Sequence, residues 1–129
     1  MSRIRSKNTS PERQLRSLLH RAGFRFRTHV KKLPGSPDIV LAKYKTAIFV
    51  HGCFWHRHAT CKYAYTPKDR IEFWENKFSG TIKRDMEKTE ELKTSGWLVL
   101  VVWECELKND AQAVIHKIIE ELKRVKNGL

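Results

Sequence analysis

Twelve residues, VHGCFWHRHATC (50–61), hold two cysteines, three histidines and two large aromatics. Cys53, His58 and Cys61 follow the spacing C-x4-H-x2-C, three soft or borderline ligands in one loop. A closed tetrahedral zinc site needs a fourth. Cys105, the chain's remaining cysteine, would complete a Cys3His set, with His56 or His51 as alternatives. Such a site has no open position, so its zinc would be structural and would give a fixed shape to a loop poor in core contacts. Phe54 and Trp55 are not ligands. On a loop held rigid by metal they suit stacking on bases or insertion between base pairs. Trp74 offers the same chemistry further along the chain, with core packing as the competing role.

The second constellation is carboxylate. The stretch PGSPD places Asp38 directly after a proline turn and at the start of an apolar run. In metal-dependent nucleases the Asp of a Pro-Asp pair binds Mg²⁺. Such an ion neutralises phosphate oxygens and acidifies a bound water. Glu12 and Asp38 are the only acids in the first 38 residues, and residues 1–32 contain ten Lys or Arg. Phosphate would thus be attracted broadly and a cation held locally. Charge compensation at a helix start is the competing explanation for Glu12. Asp85, within IKRDMEK, is by spacing alone equally an exposed helical acid.

These groups need a scaffold, and 129 residues suffice for one domain with one core. A net charge of +12 points to a polyanionic partner, most often nucleic acid. No apolar run approaches the roughly 18 residues of a membrane span, so no membrane partner is expected. The basic N-terminus lacks the apolar stretch of a secretory signal, and three cysteines suit a reduced, cytoplasmic setting.

Ser10-Pro11-Glu12 predicts a helix start, and Gly23 its end, with Leu15, Leu18, Leu19 and Ala22 on the inner face. Alternation predicts a half-exposed strand through Phe24, Phe26, Thr28 and Val30. DIVLA (38–42) and TAIFVH (46–51) predict a buried hairpin. Two helices are expected next, one within 66–78 and one over about 81–95. WLVLVVW (97–103) then reads as a central strand, and a helix from Asp110 carries the stripe Val114, Ile115, Ile118, Leu122. The order α-β-β-β-α-α-β-α is that of an α/β domain, one mixed central sheet flanked by helices, spanning residues 1–129.

LPGSPDIV (33–40), IFVHGCFWHRHATC (48–61), EFW (72–74), KRD (83–85) and VVWEC (101–105) together resemble the very short patch repair endonucleases. These are DNA mismatch enzymes with a restriction-endonuclease-like fold. The resemblance covers nearly the whole chain, and HGCFWH is its most specific piece.

It implies a strand-specific, Mg²⁺-dependent nick 5′ of the thymine in a T:G mismatch. Such mismatches arise by deamination of 5-methylcytosine. It assigns Asp38 and the backbone carbonyl of Val50 to Mg²⁺, and His56 to the attacking water. Glu12, His51 and Asp85 would support through metal-bound waters or hydrogen bonds. Cys53, His58, Cys61 and Cys105 would bind structural Zn²⁺, while Phe54, Trp55 and Trp74 would enter the duplex beside the mismatch. Relatives have Thr at position 50, where a carbonyl ligand survives the change to Val. The implied partners are double-stranded DNA carrying the mismatch and, functionally, a cytosine-C5 methyltransferase. A monomer is expected, because a nick needs one active site. The competing functions are a restriction-type enzyme that cuts both strands, and a non-catalytic zinc-stabilised DNA-binding module.

Overall fold

A computed structural model describes residues 10–51 and 67–127. The loop residues Cys53, Phe54, Trp55, His56, His58 and Cys61 lie outside the described residues. Helix α1 (Ser10–Arg21) buries Glu12, Leu15 and Leu19, which at spacings of three and four share one face. Gly23 ends it in the left-handed region at φ 87°. The N–H groups of Gly23 and Phe24 bond back to the carbonyls of His20 and Leu19, a Schellman closure.

The predicted strand over 24–30 contracts to β1 (Arg27–Thr28), because both its residues are exposed and the chain turns sharply at His29, φ 48°. β1 pairs antiparallel with β2 (Ile39–Leu41), Thr28 opposite Ile39. β2 and β3 (Thr46–His51) form the expected hairpin, Ile39 opposite Ile48. The connection is a short 3₁₀ turn, Ala42–Tyr44, closed by Lys45 in the left-handed region. β2 is buried throughout and β3 nearly so, as their unbroken apolar runs require.

A single helix, α2 (Ile71–Thr94), replaces the two expected. The helix runs unbroken through Ser79 and Gly80, between the two expected segments, because the helical cost of a glycine is only about 1 kcal/mol and is readily overridden by context. α2 closes as α1 does, with Gly96 at φ 88° and the Trp97 N–H on the Leu92 carbonyl. It is the crossover that lets β4 (Leu98–Trp103) pair parallel to β3, from Thr46 opposite Leu98 to His51 opposite Trp103.

The order is β1-β2-β3-β4, so among the described residues β4 closes one end of the sheet instead of running through its centre. Its burial follows from that position: Val102 is buried but Val101 is 40% exposed. Helix α3 (Glu104–Asn127) bends at Asp110, where the backbone is extended. The Asp110 carboxylate accepts the Ala113 N–H at 3.1 Å and so caps the long second part.

Alternation along β3 divides the molecule. Ile48 and Val50 join Leu15 and Leu19 of α1 and Ile115, Ile118 and Leu122 of α3 in the core. Phe49 and His51 face the other way, toward α2. The result is a mixed four-stranded sheet between helices. In the described residues no helix is long and apolar enough to cross a membrane.

Candidate active site

The site forms on the α2 side, where a cleft of about 370 Å³ opens beside the ends of β2 and β3. Its lining includes Asp38, Val50, His51 and Asp85, four positions singled out from the sequence. Asp38 lies one residue before β2. The PGSP turn that delivers it contains Gly35 and Ser36, both at positive φ. Gly35 is needed there: a Cβ would come within 3.0 Å of the Lys88 Cβ and 3.2 Å of the Phe49 ring. The turn therefore sits tightly on α2 and β3, and this close approach fixes Asp38 relative to Asp85.

Oδ2 of Asp38 accepts the backbone N–H of Val50 at 2.7 Å. In a strand, one residue's N–H and C=O leave on the same side, so the Val50 carbonyl turns toward the Asp38 edge too. His51, buried at the end of β3, packs edge-on against Trp103 at 5.1 Å between ring centroids. That contact holds its ring beneath the cleft. Asp85 projects from α2, half-buried, beside Arg84 and Lys88.

Glu12 enters from the opposite side of the sheet end. It is 2% exposed and occupies the inward stripe of α1 with Leu15 and Leu19. An ionised carboxylate there demands a polar partner. His29 supplies one, its Nε2 lying 3.1 Å from Oε2 of Glu12 and 4.0 Å from Oδ1 of Asp38. One ligand atom from each of Glu12, His29 and Asp38 falls within 4.8 Å of the others.

This set fits a divalent cation. It has two carboxylates to balance the charge and one imidazole, converging from three separate elements. His29 was not found from the sequence. Alternation placed it among exposed basic residues, and the only available signal was strand pairing. With Thr28 opposite Ile39, position 29 falls opposite 38, and the His29 N–H bonds the Asp38 carbonyl at 3.2 Å.

Other expected positions lie apart from this cluster. Trp74 is half-buried in the second turn of α2, stacked on Phe78 with centroids 5.8 Å apart and flanked edge-on by Phe73. It does not line the cleft; eleven residues of helix, roughly 16 Å, separate it from Asp85. Cys105 is half-buried in the first turn of α3. His56, the zinc ligands Cys53, His58 and Cys61, and the aromatics Phe54 and Trp55 lie outside the described residues.

A mixed sheet between helices, with carboxylates gathered at one strand end, is an α/β fold with a candidate metal centre. The catalytic domain of the homing endonuclease I-Bth0305I has the same fold, with a TM-score of 0.55 over 92% of this chain and 94% of that one, at 22% identity. Sequence comparison goes further. The family model for DNA mismatch endonuclease Vsr matches residues 1–62. The type II nicking enzyme V.XorIIP of Xanthomonas oryzae is 50% identical over 84% of this chain and 79% of its own length. The DNA mismatch endonuclease Vsr of Escherichia coli is 39% identical over 95% of this chain and 78% of its own. The type II nicking enzyme V.NmeAIP of Neisseria meningitidis is 44% identical over 95% and 89%. The chain belongs to the Vsr family of DNA mismatch endonucleases.

Proposed function

We propose that this protein is a DNA mismatch endonuclease that nicks one strand 5′ of the thymine in a T:G mismatch, using Mg²⁺. The observation that carries the reading is the convergence of Asp38, His51 and Asp85 on one cleft, with the Asp38 carboxylate pinned by the Val50 N–H. Asp38 and the Val50 carbonyl would hold the Mg²⁺, with Glu12 near enough to act through water. When bound, Mg²⁺ supplies charge neutralisation at the scissile phosphate and acidifies water.

The protein's own groups do the remaining work. His56 takes the proton from the attacking water, a role that suits imidazole near neutral pH. His51, locked against Trp103, and Asp85 orient the water network from the two walls of the cleft. Lys31, Arg84 and Lys88 line the same cleft and draw the DNA backbone toward it. The aromatics Phe54, Trp55 and Trp74 enter the duplex beside the mismatch. A mismatched step costs less to unstack than a paired one, so insertion converts local weakness into selectivity.

Cys53, His58, Cys61 and Cys105 would hold a structural Zn²⁺ that stiffens the wedge. The strand register supports this set. His51 lies opposite Trp103, and Cys53 and Cys105 each follow by two residues in the sequence. Thiolate ligands of this kind belong in a reduced, cytoplasmic compartment. The substrate lesion comes from deaminated 5-methylcytosine, which links the enzyme functionally to a cytosine-C5 methyltransferase. One cleft per chain suffices for one nick, so the protein acts as a monomer.

The test uses end-labelled duplexes, matched or carrying one T:G pair, with and without Mg²⁺. Nicking of the thymine strand alone, confined to the T:G duplex and to Mg²⁺, is expected. Equal cleavage of the matched duplex, or binding without cleavage, would overturn the reading.

A further inference from the structure

His29 has no role in the reading above, yet its imidazole stands between the two carboxylates of the site. Nε2 stands 3.1 Å from Glu12 and 4.0 Å from Asp38. The backbone beneath it lies at φ 48°, in the left-handed region that histidine adopts more readily than most residues. The His29 N–H bond to the Asp38 carbonyl ties it in place.

We propose that His29 is a direct metal ligand, so that the cleft's cation is bound by imidazole nitrogen as well as by Asp38 and Glu12 oxygens, with Glu12 binding directly and not through water as in the reading above. The inference rests on the reading of the Asp38 cleft as a divalent-metal centre, and it identifies a ligand which that reading lacks.

Three observations carry it. First, spacing: ligand atoms about 2.1 Å from an octahedral ion lie about 3.0 Å apart when adjacent and about 4.2 Å apart when opposite. The observed 3.1 and 4.0 Å fall close to these two values, and all three ligand atoms lie within 4.8 Å of one another, so a small inward shift brings them onto one ion. Second, contact: Nε2 of His29 and Oε2 of Glu12 face one another at 3.1 Å, so both present a ligand atom to one place. Third, origin: the three groups come from α1, the segment after β1 and the residue before β2, so no local turn preference accounts for their meeting.

The consequence is a change of selectivity. Oxygen-only sites suit Mg²⁺, whereas an imidazole nitrogen favours first-row transition ions over it, with Mn²⁺ gaining least of the series. The site should therefore discriminate toward Mn²⁺ through His29.

The experiment uses the full-length protein with Mn²⁺ as the probe. Binding is measured by loss of the free-ion resonance in electron paramagnetic resonance, and direct nitrogen ligation by ¹⁴N modulation of the electron spin echo. His29→Asn is the variant of choice, because Asn tolerates positive φ and lacks a basic nitrogen. His29→Gly, equally suited to that backbone, is the second. Wild-type protein should bind Mn²⁺ with ¹⁴N modulation. Both variants should lose that modulation and bind Mn²⁺ at least about tenfold more weakly, the loss that even outer-shell partners typically cause. Competition with Mg²⁺ should show Mg²⁺ affinity falling by less.

Wild-type binding without ¹⁴N modulation, or modulation and affinity unchanged in the variants, overturns the ligand assignment alone. Absence of Mn²⁺ binding to the wild type overturns it together with the metal-centre reading on which it rests.

Discussion

Oδ2 of Asp38 accepts the backbone N–H of Val50 at 2.7 Å, although twelve residues separate the two in the chain. The bond leaves Oδ1 as the oxygen nearer His29, and it fixes the carboxylate against the end of β3. Asp38→Ala removes the charge while leaving the Val50 N–H close to the open cleft, where water can reach it. A metal contributes several kcal/mol of transition-state stabilisation, so nicking should fall by about a thousandfold or more. DNA binding, which rests on the basic surface, should change little. Single-turnover nicking and a filter-binding assay separate the two, and a variant that still nicks at a comparable rate would remove Asp38 from the metal site.

Glu12 gives a sharper test, because fold and function make opposite demands on it. It occupies a position of the α1 stripe that packing alone would fill with an apolar side chain. Replacing a buried ion pair by hydrophobic residues of similar volume is often neutral or stabilising, by about 1–4 kcal/mol, and removing one partner is costly only where the other stays buried. His29 is 20% exposed at its side chain, so water can replace Glu12 as its partner. Glu12→Leu should therefore keep or raise the thermal midpoint while nicking collapses. A midpoint several degrees lower, with nicking preserved, would make Glu12 a structural residue.

Much of this arrangement was legible in advance, and the reasons differ by element. The hairpin of β2 and β3 followed from two apolar runs, and α1 from its Pro-Glu start, its apolar spacing and Gly23. Asp38 and Glu12 stood out because acids are scarce in that part of the chain. His29 did not, since its role comes from strand pairing, and alternation alone assigned it to the exposed face. The two helices expected within 66–78 and over about 81–95 are one, because apolar spacing is a local signal, while the crossover between two parallel strands favours one continuous helix. β4 looked central because its residues are apolar, yet an end strand packed by helices is apolar as well.

Gly35 is the third test. Its φ of 76° favours glycine, and an added Cβ would meet the Lys88 Cβ at 3.0 Å, which is helix and cannot swing aside. Gly35→Ala should cost about 1–3 kcal/mol through backbone conformation and overpacking combined. By pushing the Asp38 turn away from α2 it should also lower the nicking rate more than DNA affinity. Chemical denaturation and single-turnover rates read the two effects. A variant with wild-type stability would mean that the turn is not seated on α2 as described.

Asp110 tests the bend in α3. Its carboxylate accepts the Ala113 N–H where the backbone leaves the helix, φ −158° and ψ 85°. Replacing an N-cap Asp by Ala costs about 1 kcal/mol. Asp110→Ala should therefore lower stability by that amount, while Asp110→Ser, which can cap equally well, should restore most of it. Nicking measured well below the unfolding range should be unaffected by either, because Asp110 lies outside the cleft. An Ala variant as stable as the Ser variant would show that the cap contributes nothing.

The zinc set can be tested through Cys105, the one proposed ligand on a described element. β3 and β4 run parallel and end side by side, His51 opposite Trp103, and Cys53 and Cys105 each follow two residues later in the sequence. A closed site that loses one of four ligands binds metal far more weakly, and zinc binding energy is also folding energy for the loop it holds. Cys105→Ala should lose most of its zinc on dialysis against a mild chelator, whereas the wild type retains one ion per chain. Because that loop carries Phe54 and Trp55, discrimination between T:G and matched duplexes should weaken along with zinc. Cys105→His, which keeps a zinc-binding side chain, should recover part of both. Zinc content unchanged in Cys105→Ala would move the fourth ligand to His51 or His56, and would separate the wedge from the end of β4.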